Sequence, residues 1–285
     1  MPDMPTRLFG CTPSRLTTWI DCPLRYRMTY LDRPAPPKGP PWAHNSVGAA
    51  VHVALAAWWD LPRERRTPEG AGSLLRARWQ PLGFRDREQA DRWRELAAAM
   101  VERYVATLDP GDEPLGVERT VAFRTPALAV SGRIDRLDER AEGLVVVDYK
   151  TGRHVLSTDD ARGSLALAIY AVAAARTLRR DCAAVELHHL PTGDVVRWEH
   201  TAASLDRHIG RAHDIAAEIV AATASGQPDD FPARPGPQCG WCDFAAQCPV
   251  GQQIPRVSSW SGLADDIAVP DDDVAVPDAI GTIAG

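Results

Sequence analysis

The chain has 285 residues, 45% hydrophobic and 25% charged, an ordinary composition for a globular protein and enough for one enlarged domain with additions. Its formal charge of −6 argues against a uniformly basic nucleic-acid binder, but Asp265, Asp266, Asp271, Asp272, Asp273 and Asp278 account for all of it. Residues 1–264 are therefore formally neutral, and a neutral body can carry a basic groove.

No basic patch followed by a long apolar run opens the chain, so no secretory signal is expected. The most apolar stretch, SLALAIYAVAAA at 164–175, is shorter than the about 20 residues that span a bilayer as a helix. The expectation is a cytoplasmic protein with no membrane contact, in which six cysteines are better read as metal ligands than as a disulfide framework.

In chain order, TPSRLTTWIDCPLRYRMTYLDR predicts a helix with Thr12 as N-cap and Pro13 at its first position, interrupted near Pro23. A Pro-rich loop covers 34–41 and contains Lys38. NSVGAAVHVALAAWWD has helical apolar spacing, with Asn45 or Ser46 as its cap. Arg-rich helices are expected between about 70 and 107. From Leu115 the period changes: VERTVAFRT, LAVSGRIDRLD and GLVVVDYKT read as three strands, the last two joined by the polar loop DERAEG with Gly143 near its end. A helix at about 160–178, two strands (AVELHHL and DVVRWEH) and a helix over 202–224 complete an α/β pattern with a mixed sheet. Beyond 226 the chain is Pro-rich and then Cys-rich, and from about 255 it becomes small and acidic, a composition that predicts disorder.

The sharpest chemistry lies in SGRIDRLDERAEGLVVVDYKTG. Strand side chains alternate, so Asp148 and Lys150 share a face and Tyr149 takes the other. If 130–137 and 143–150 form a hairpin, Asp135 lies across from the Asp148 region, and two carboxylates can converge on Mg²⁺ or Mn²⁺. Lys150 is one of only two lysines among 30 arginines, and its compact ammonium could orient an attacking water or stabilise charge on phosphorus. The same three residues could also be a solvated strand face with a weak ion pair.

These residues resemble the RecB-family exonucleases of the PD-(D/E)XK superfamily. Asp135 followed by Asp148-Tyr149-Lys150-Thr151-Gly152 is similar to that family's core motif, and Gly48-Ala-Ala-Val-His52 to its Gly-x-x-x-His element. The opening Ser-Arg-Leu, Cys-Pro and Tyr signature at 14–26 adds to the likeness, which runs from about 12 to 250. The resemblance implies a PD-(D/E)XK core and metal held by His52, Asp135, Asp148 and the Tyr149 carbonyl. Glu118 matches an acidic position before the metal-binding strands. Tyr170 is kept, but the Gln usual four residues before it is Ala166, which puts strand placement or rate in question rather than metal binding.

Cys239-x-x-Cys242-x5-Cys248 sets three thiols within ten residues of a loop that can curl round a metal. The resemblance supplies Cys22 as the fourth ligand and implies a [4Fe–4S] cluster, as in AddB-type nucleases. Structural Zn²⁺ takes similar Cys₄ spacings, and inert buried thiols would show the same sequence. Cys11 and Cys182 read as ordinary thiols.

The expected organisation is one nuclease domain over 1–254, with a catalytic core at 45–200, a metal-cluster clasp from 12–30 and 235–250, and a tail over 255–285. The expected activity is metal-dependent hydrolysis of DNA, single-stranded or at ends, in repair or recombination. Arg-rich segments between 76 and 103 are candidates for backbone contact. The chain has no P-loop, so any helicase would be a separate partner. Two rival readings are a catalytically inactive DNA-binding or scaffold module and an RNA-processing nuclease.

Overall fold

In the computed structural model, which describes residues 8–261 and 263, a three-residue strand with no sequence signal, β1 (Phe9–Cys11), precedes the first helix. Thr12 caps α1 (Pro13–Asp21) by accepting the Arg15 amide, and Pro13 takes the first helical position, where its missing N–H costs nothing. Cys22 leaves helical geometry and Pro23 opens α2 (Pro23–Tyr30), so the break falls where the proline predicts it.

Helix α3 (Ala43–Trp59) starts earlier than an Asn45 or Ser46 cap would allow. Trp42 is the cap residue and offers no side-chain acceptor. The Ala43 amide donates to the Ser259 carbonyl at 3.0 Å instead, and the Ser46 hydroxyl donates to the Leu82 carbonyl. A tertiary partner thus serves the helix end that a local one was expected to serve.

Helices α4 (Pro68–Arg78) and α5 (Arg87–Val105) follow, then the antiparallel strands β2 (Gly116–Arg124), β3 (Leu128–Arg140) and β4 (Gly143–Lys150). The helix expected over 160–178 is two: α6 (Thr158–Gly163) and α7 (Leu165–Leu178). Ser164 divides them, because its extended backbone ends the first and its hydroxyl caps the second by accepting the Leu167 amide. Strands β5 (Cys182–His189) and β6 (Asp194–Trp198) and helix α8 (Ala202–Ser225) complete the order. None of the described helices is long and apolar enough to cross a membrane.

Six strands form one mixed sheet in the order β1-β3-β4-β5-β6, with β2 paired to β3. β1 runs parallel to β3 and β4 parallel to β5; the other pairs are antiparallel. The chain crosses from β4 to β5 through α6 and α7, the connection a parallel pair requires.

Alternation along β4 feeds two cores. Leu144 and Val146 pack with α1, α7 and α8, whereas Val145, Val147 and Tyr149 pack with α3, α4 and α5. Each fully buried Val or Leu side chain contributes about 1.5–3 kcal/mol, so a one-residue slip of this strand is excluded energetically. Asp148 and Lys150 continue the Leu144–Val146 row beyond the core, at the open end of the sheet. Of the tail expected over 255–285, residues 255–261 and 263 are described. There Ser259 bonds to Ala43 and Gly83, while Trp260 and Leu263 pack against the α3 core. The rest of that tail lies outside the described residues.

Candidate active site and cysteine cluster

The β3–β4 register pairs Arg136 with Val147 and Leu137 with Val146, which sets Asp135 opposite Asp148 at the next position. Asp135 uses both carboxylate oxygens: Oδ2 accepts the Tyr149 amide at 2.8 Å, and Oδ1 lies 3.3 Å from Nδ1 of His52. Helix α3 reaches this strand end because Gly48 has no side chain. A Cβ there would meet the Thr151 hydroxyl at 3.3 Å, tighter than ordinary contact. One turn later the helix delivers His52.

Glu118 completes the arrangement. Ligand atoms of His52, Glu118 and Asp135 all lie within 4.8 Å of one another, and among the described residues this trio could hold a metal ion. From sequence, Asp148 was the expected partner of His52 and Asp135, and Glu118 only an auxiliary. The structure turns Asp148 toward Lys150, whose ammonium contacts its Oδ2. The backbone at Glu118 is unusual. Glu118 has φ +49°, a left-handed conformation uncommon outside glycine. Across it the facing of β2 reverses: Val117 packs with the α3 core, Val121 and Phe123 with the other. Strain at such a residue is stored where structure around it insists on the position. No sequence signal marks it, since Glu has no preference for that conformation.

The electrostatics fit a cation site. Burial alone would lower the His52 pKa, but the hydrogen bond to Asp135 and the charges of Asp135, Asp148 and Glu118 raise it above the ordinary imidazole value. Asp148 is pushed above the usual carboxylate range by burial first and by Asp135, against the pull of Lys150 and His52. Its Oδ2 is buried and paired with the Lys150 ammonium. Oxygen donors of this number, with one imidazole, suit Mg²⁺ or Mn²⁺ with water and phosphate filling the remaining positions. Glu118 is also held by Arg133, 2.6 Å away and largely exposed.

Tyr170 borders the site: burial, then the charges of Asp148 and Asp135, push its hydroxyl up to about 12. Its ring occupies the space that a side chain at Gly132 would need. Sequence reasoning missed Gly132; an unsubstituted position inside a strand was its only signal. Ala166 lies one turn before Tyr170 on α7.

Behind the strand, the Tyr149 ring packs on Tyr104, His188 and His52. Beneath it, buried Arg136 donates to the Tyr104 hydroxyl at 3.2 Å and to Asp138 at 3.0 Å. Glu186 accepts from both Arg140 guanidinium nitrogens at 2.7 and 2.8 Å, from Arg197 at 3.0 Å and from His188 at 3.0 Å. This buried network has no sequence signature.

Most Arg-rich positions between 76 and 103 are held in ion pairs: Arg76 with Glu95 and Glu102, Arg87 and Arg94 with Asp91. That part of the α4–α5 surface is a charge-laced helix pair.

Some distance along the chain, Cys22, Cys239, Cys242 and Cys248 line one small cavity with Met28 and Phe244. Cys22 sits at the α1–α2 joint, and the other three lie on tight turns after Gly236. Hydrogen bonds tie the two regions: the Arg234 guanidinium donates to the carbonyls of Trp19 and Ile20, and Gln238 donates to that of Asp21. Burial raises the Cys242 thiol pKa. Cys11 and Cys182 belong to the sheet core, where burial pushes each thiol up to about 11.

A mixed sheet with carboxylates, a lysine and a helix-borne histidine at one strand end defines a nuclease-type phosphodiester site. Residues 11–249 match the family described as the PD-(D/E)XK nuclease superfamily, and the chain belongs to it. Members of that superfamily are nucleases that use divalent metals. No curated protein matches the chain in sequence.

Proposed function

We propose that this protein is a RecB-like, metal-dependent deoxyribonuclease that cuts single-stranded DNA or DNA ends in repair or recombination, with any helicase supplied by a separate protein. The observation that carries this reading is the convergence of His52, Glu118 and Asp135 within 4.8 Å, beside the Asp148–Lys150 pair. His52, Glu118 and Asp135 would hold Mg²⁺ or Mn²⁺, with Asp148 and the Tyr149 carbonyl adjoining. The metal would supply Lewis acidity and lower the pKa of a bound water. The Lys150 ammonium is placed to orient that water and to stabilise charge on the phosphoryl oxygens. Asp148 holds the ammonium in place, and Asp135 fixes the Tyr149 peptide.

The cysteine cavity supports a structural [4Fe–4S] cluster held by Cys22, Cys239, Cys242 and Cys248. Structural Zn²⁺ held by the same four thiols is the alternative.

The deciding experiment is digestion of end-labelled single- and double-stranded DNA and of RNA by anaerobically purified protein, with Mg²⁺ or Mn²⁺ and with chelator. Metal-dependent loss of labelled DNA is expected. Cleavage of RNA alone would reassign the substrate, and no cleavage of any polymer would leave a binding module.

A further inference from the structure

Beside the metal-facing side of α3 runs a groove of about 640 Å³ that the chemistry above does not use. Its floor is the helix at Asn45, Ala49 and Val53, and its walls carry Lys38 and, at the end of α4, Arg78. Asn45 precedes His52 by seven residues, about two turns and about 10 Å along the axis, so both fall on nearly the same helix face. One edge of the groove, at Asn45, thus lies in line with His52, and the groove extends round α3 toward its start.

Two features select its occupant. Trp42 lines the groove and packs on Trp241 with ring centroids 5.4 Å apart, and His44 stands edge-on to Trp241 at 5.8 Å. Trp241 is 39% exposed, and the exposed Val53 and Leu82 continue this apolar surface along the groove. Two cations line the same groove as Trp42. Arg78 is exposed, and the Lys38 side chain is 60% exposed, reaching Asp243 only at 4.0 Å. Asp243, the carboxylate that lines the groove, is engaged by the Trp42 indole N–H at 3.1 Å.

We propose that this groove is the track of a single strand of nucleic acid leaving the metal centre, with a base stacked at Trp241 and His44 and phosphates met by Lys38 and Arg78. The proposal rests on the nuclease reading. Exposed rings between spaced cations are what an unpaired strand uses, and a duplex keeps its bases stacked on each other instead.

The test is binding of fluorescent dT15, rU15, dT3 and a 15-base-pair duplex to the whole protein without divalent metal, so that nothing is cut. Trp241→Ala should weaken dT15 binding about tenfold. Arg78→Ala should reduce the slope of log affinity against log salt by about 0.7, as loss of one phosphate contact on a single strand does. Binding of dT3, which spans fewer of these contacts, should be weaker than that of dT15. Trp241 adjoins Cys242, so Trp241→Phe, which keeps a ring, serves as the folding control and should stay near wild type. Losses on either single-stranded polymer support the track, and the polymer held more tightly names the preferred sugar. Wild-type protein that binds none of these probes sinks the nuclease reading together with the track. Wild-type binding matched by both Ala variants, or equal losses on duplex and single strand, overturns the track alone and leaves the groove to a protein partner.

Discussion

The Tyr149 amide donates to Oδ2 of Asp135 at 2.8 Å, while Oδ1 of the same carboxylate faces His52 at 3.3 Å. One side chain therefore fixes the peptide at the end of β4 and orients the imidazole from α3. In the proposed function Asp135 is both structural and a metal ligand, and its loss should then disturb the strand end and metal binding together.

Asp148 and Lys150 should divide differently from Asp135. Asp148→Asn and Lys150→Met should each lower DNA cleavage by about 100-fold or more while leaving the circular dichroism spectrum near wild type, since neither side chain belongs to the two hydrophobic cores. Cleavage by both variants at the wild-type rate would remove them from the chemistry.

Glu118 offers a sharper comparison, because its backbone and its carboxylate can be tested apart. Glu118→Gly and Glu118→Ala should both weaken Mn²⁺ binding by about 10–100-fold, the range for disturbing a metal's immediate surroundings. At φ +49° glycine is relaxed and alanine strained, so the Gly variant should be the more stable by about 1 kcal/mol. Calorimetric metal titration and thermal melting read the two effects separately. Equal metal affinity in all three proteins would exclude Glu118 as a ligand.

The cluster reading is checked by colour and iron. Anaerobic protein should absorb visible light and hold about four irons per chain. Ser at any of Cys22, Cys239, Cys242 or Cys248 should bleach it and lower the melting temperature, because the clasp closes most of the chain and a cross-link over such a loop contributes about 5 kcal/mol. Cys11→Ser and Cys182→Ser should retain the iron. Colourless protein with stoichiometric zinc would refute the cluster and keep the clasp.

Glu186 makes stability depend on acid. Burial alone would raise its pKa, but hydrogen bonds from His188, Arg140 and Arg197 hold it far below the usual carboxylate range. Its contribution is fully present above the unfolded value of about 4.3 and is lost as pH falls below that toward the folded value. Glu186→Gln should cost about 1–3 kcal/mol at pH 7, because it removes a buried charge that accepts several hydrogen bonds, although Arg140 keeps Asp138 and Arg197 keeps Glu142 and Glu199. In urea melts that deficit should shrink as pH falls from 4.5 to 3. A deficit independent of pH would mean the carboxylate's charge contributes nothing.

Ala166 stands one turn before Tyr170, so a Gln there would share the side of α7 that borders the site. Ala166→Gln should increase cleavage or tighten DNA binding severalfold in a side-by-side assay. An inert variant would mean that this chain positions its substrate by other residues.

Local chemistry in the sequence was enough for the α/β order, the three-strand run, the Thr12 cap, the break at Pro23 and the shared face of Asp148 and Lys150. Each follows from a propensity or a period of two that acts within a few residues. The Cys239, Cys242 and Cys248 triplet was legible from spacing, but Cys22 joined it only through family likeness, because 217 residues separate Cys22 from Cys239. Tertiary structure alone decided the rest. The Ser259 carbonyl, not Asn45 or Ser46, serves the start of α3, and Ser164 splits a stretch whose apolar period looks continuous. Family likeness pointed to Glu118, but its left-handed backbone angle and its approach to His52 and Asp135 belong to the tertiary structure. The Glu186 network assembles charges from three strands. For α3 and for Glu186 the deciding partners lie far away in sequence, and only the folded chain brings them within hydrogen-bonding distance.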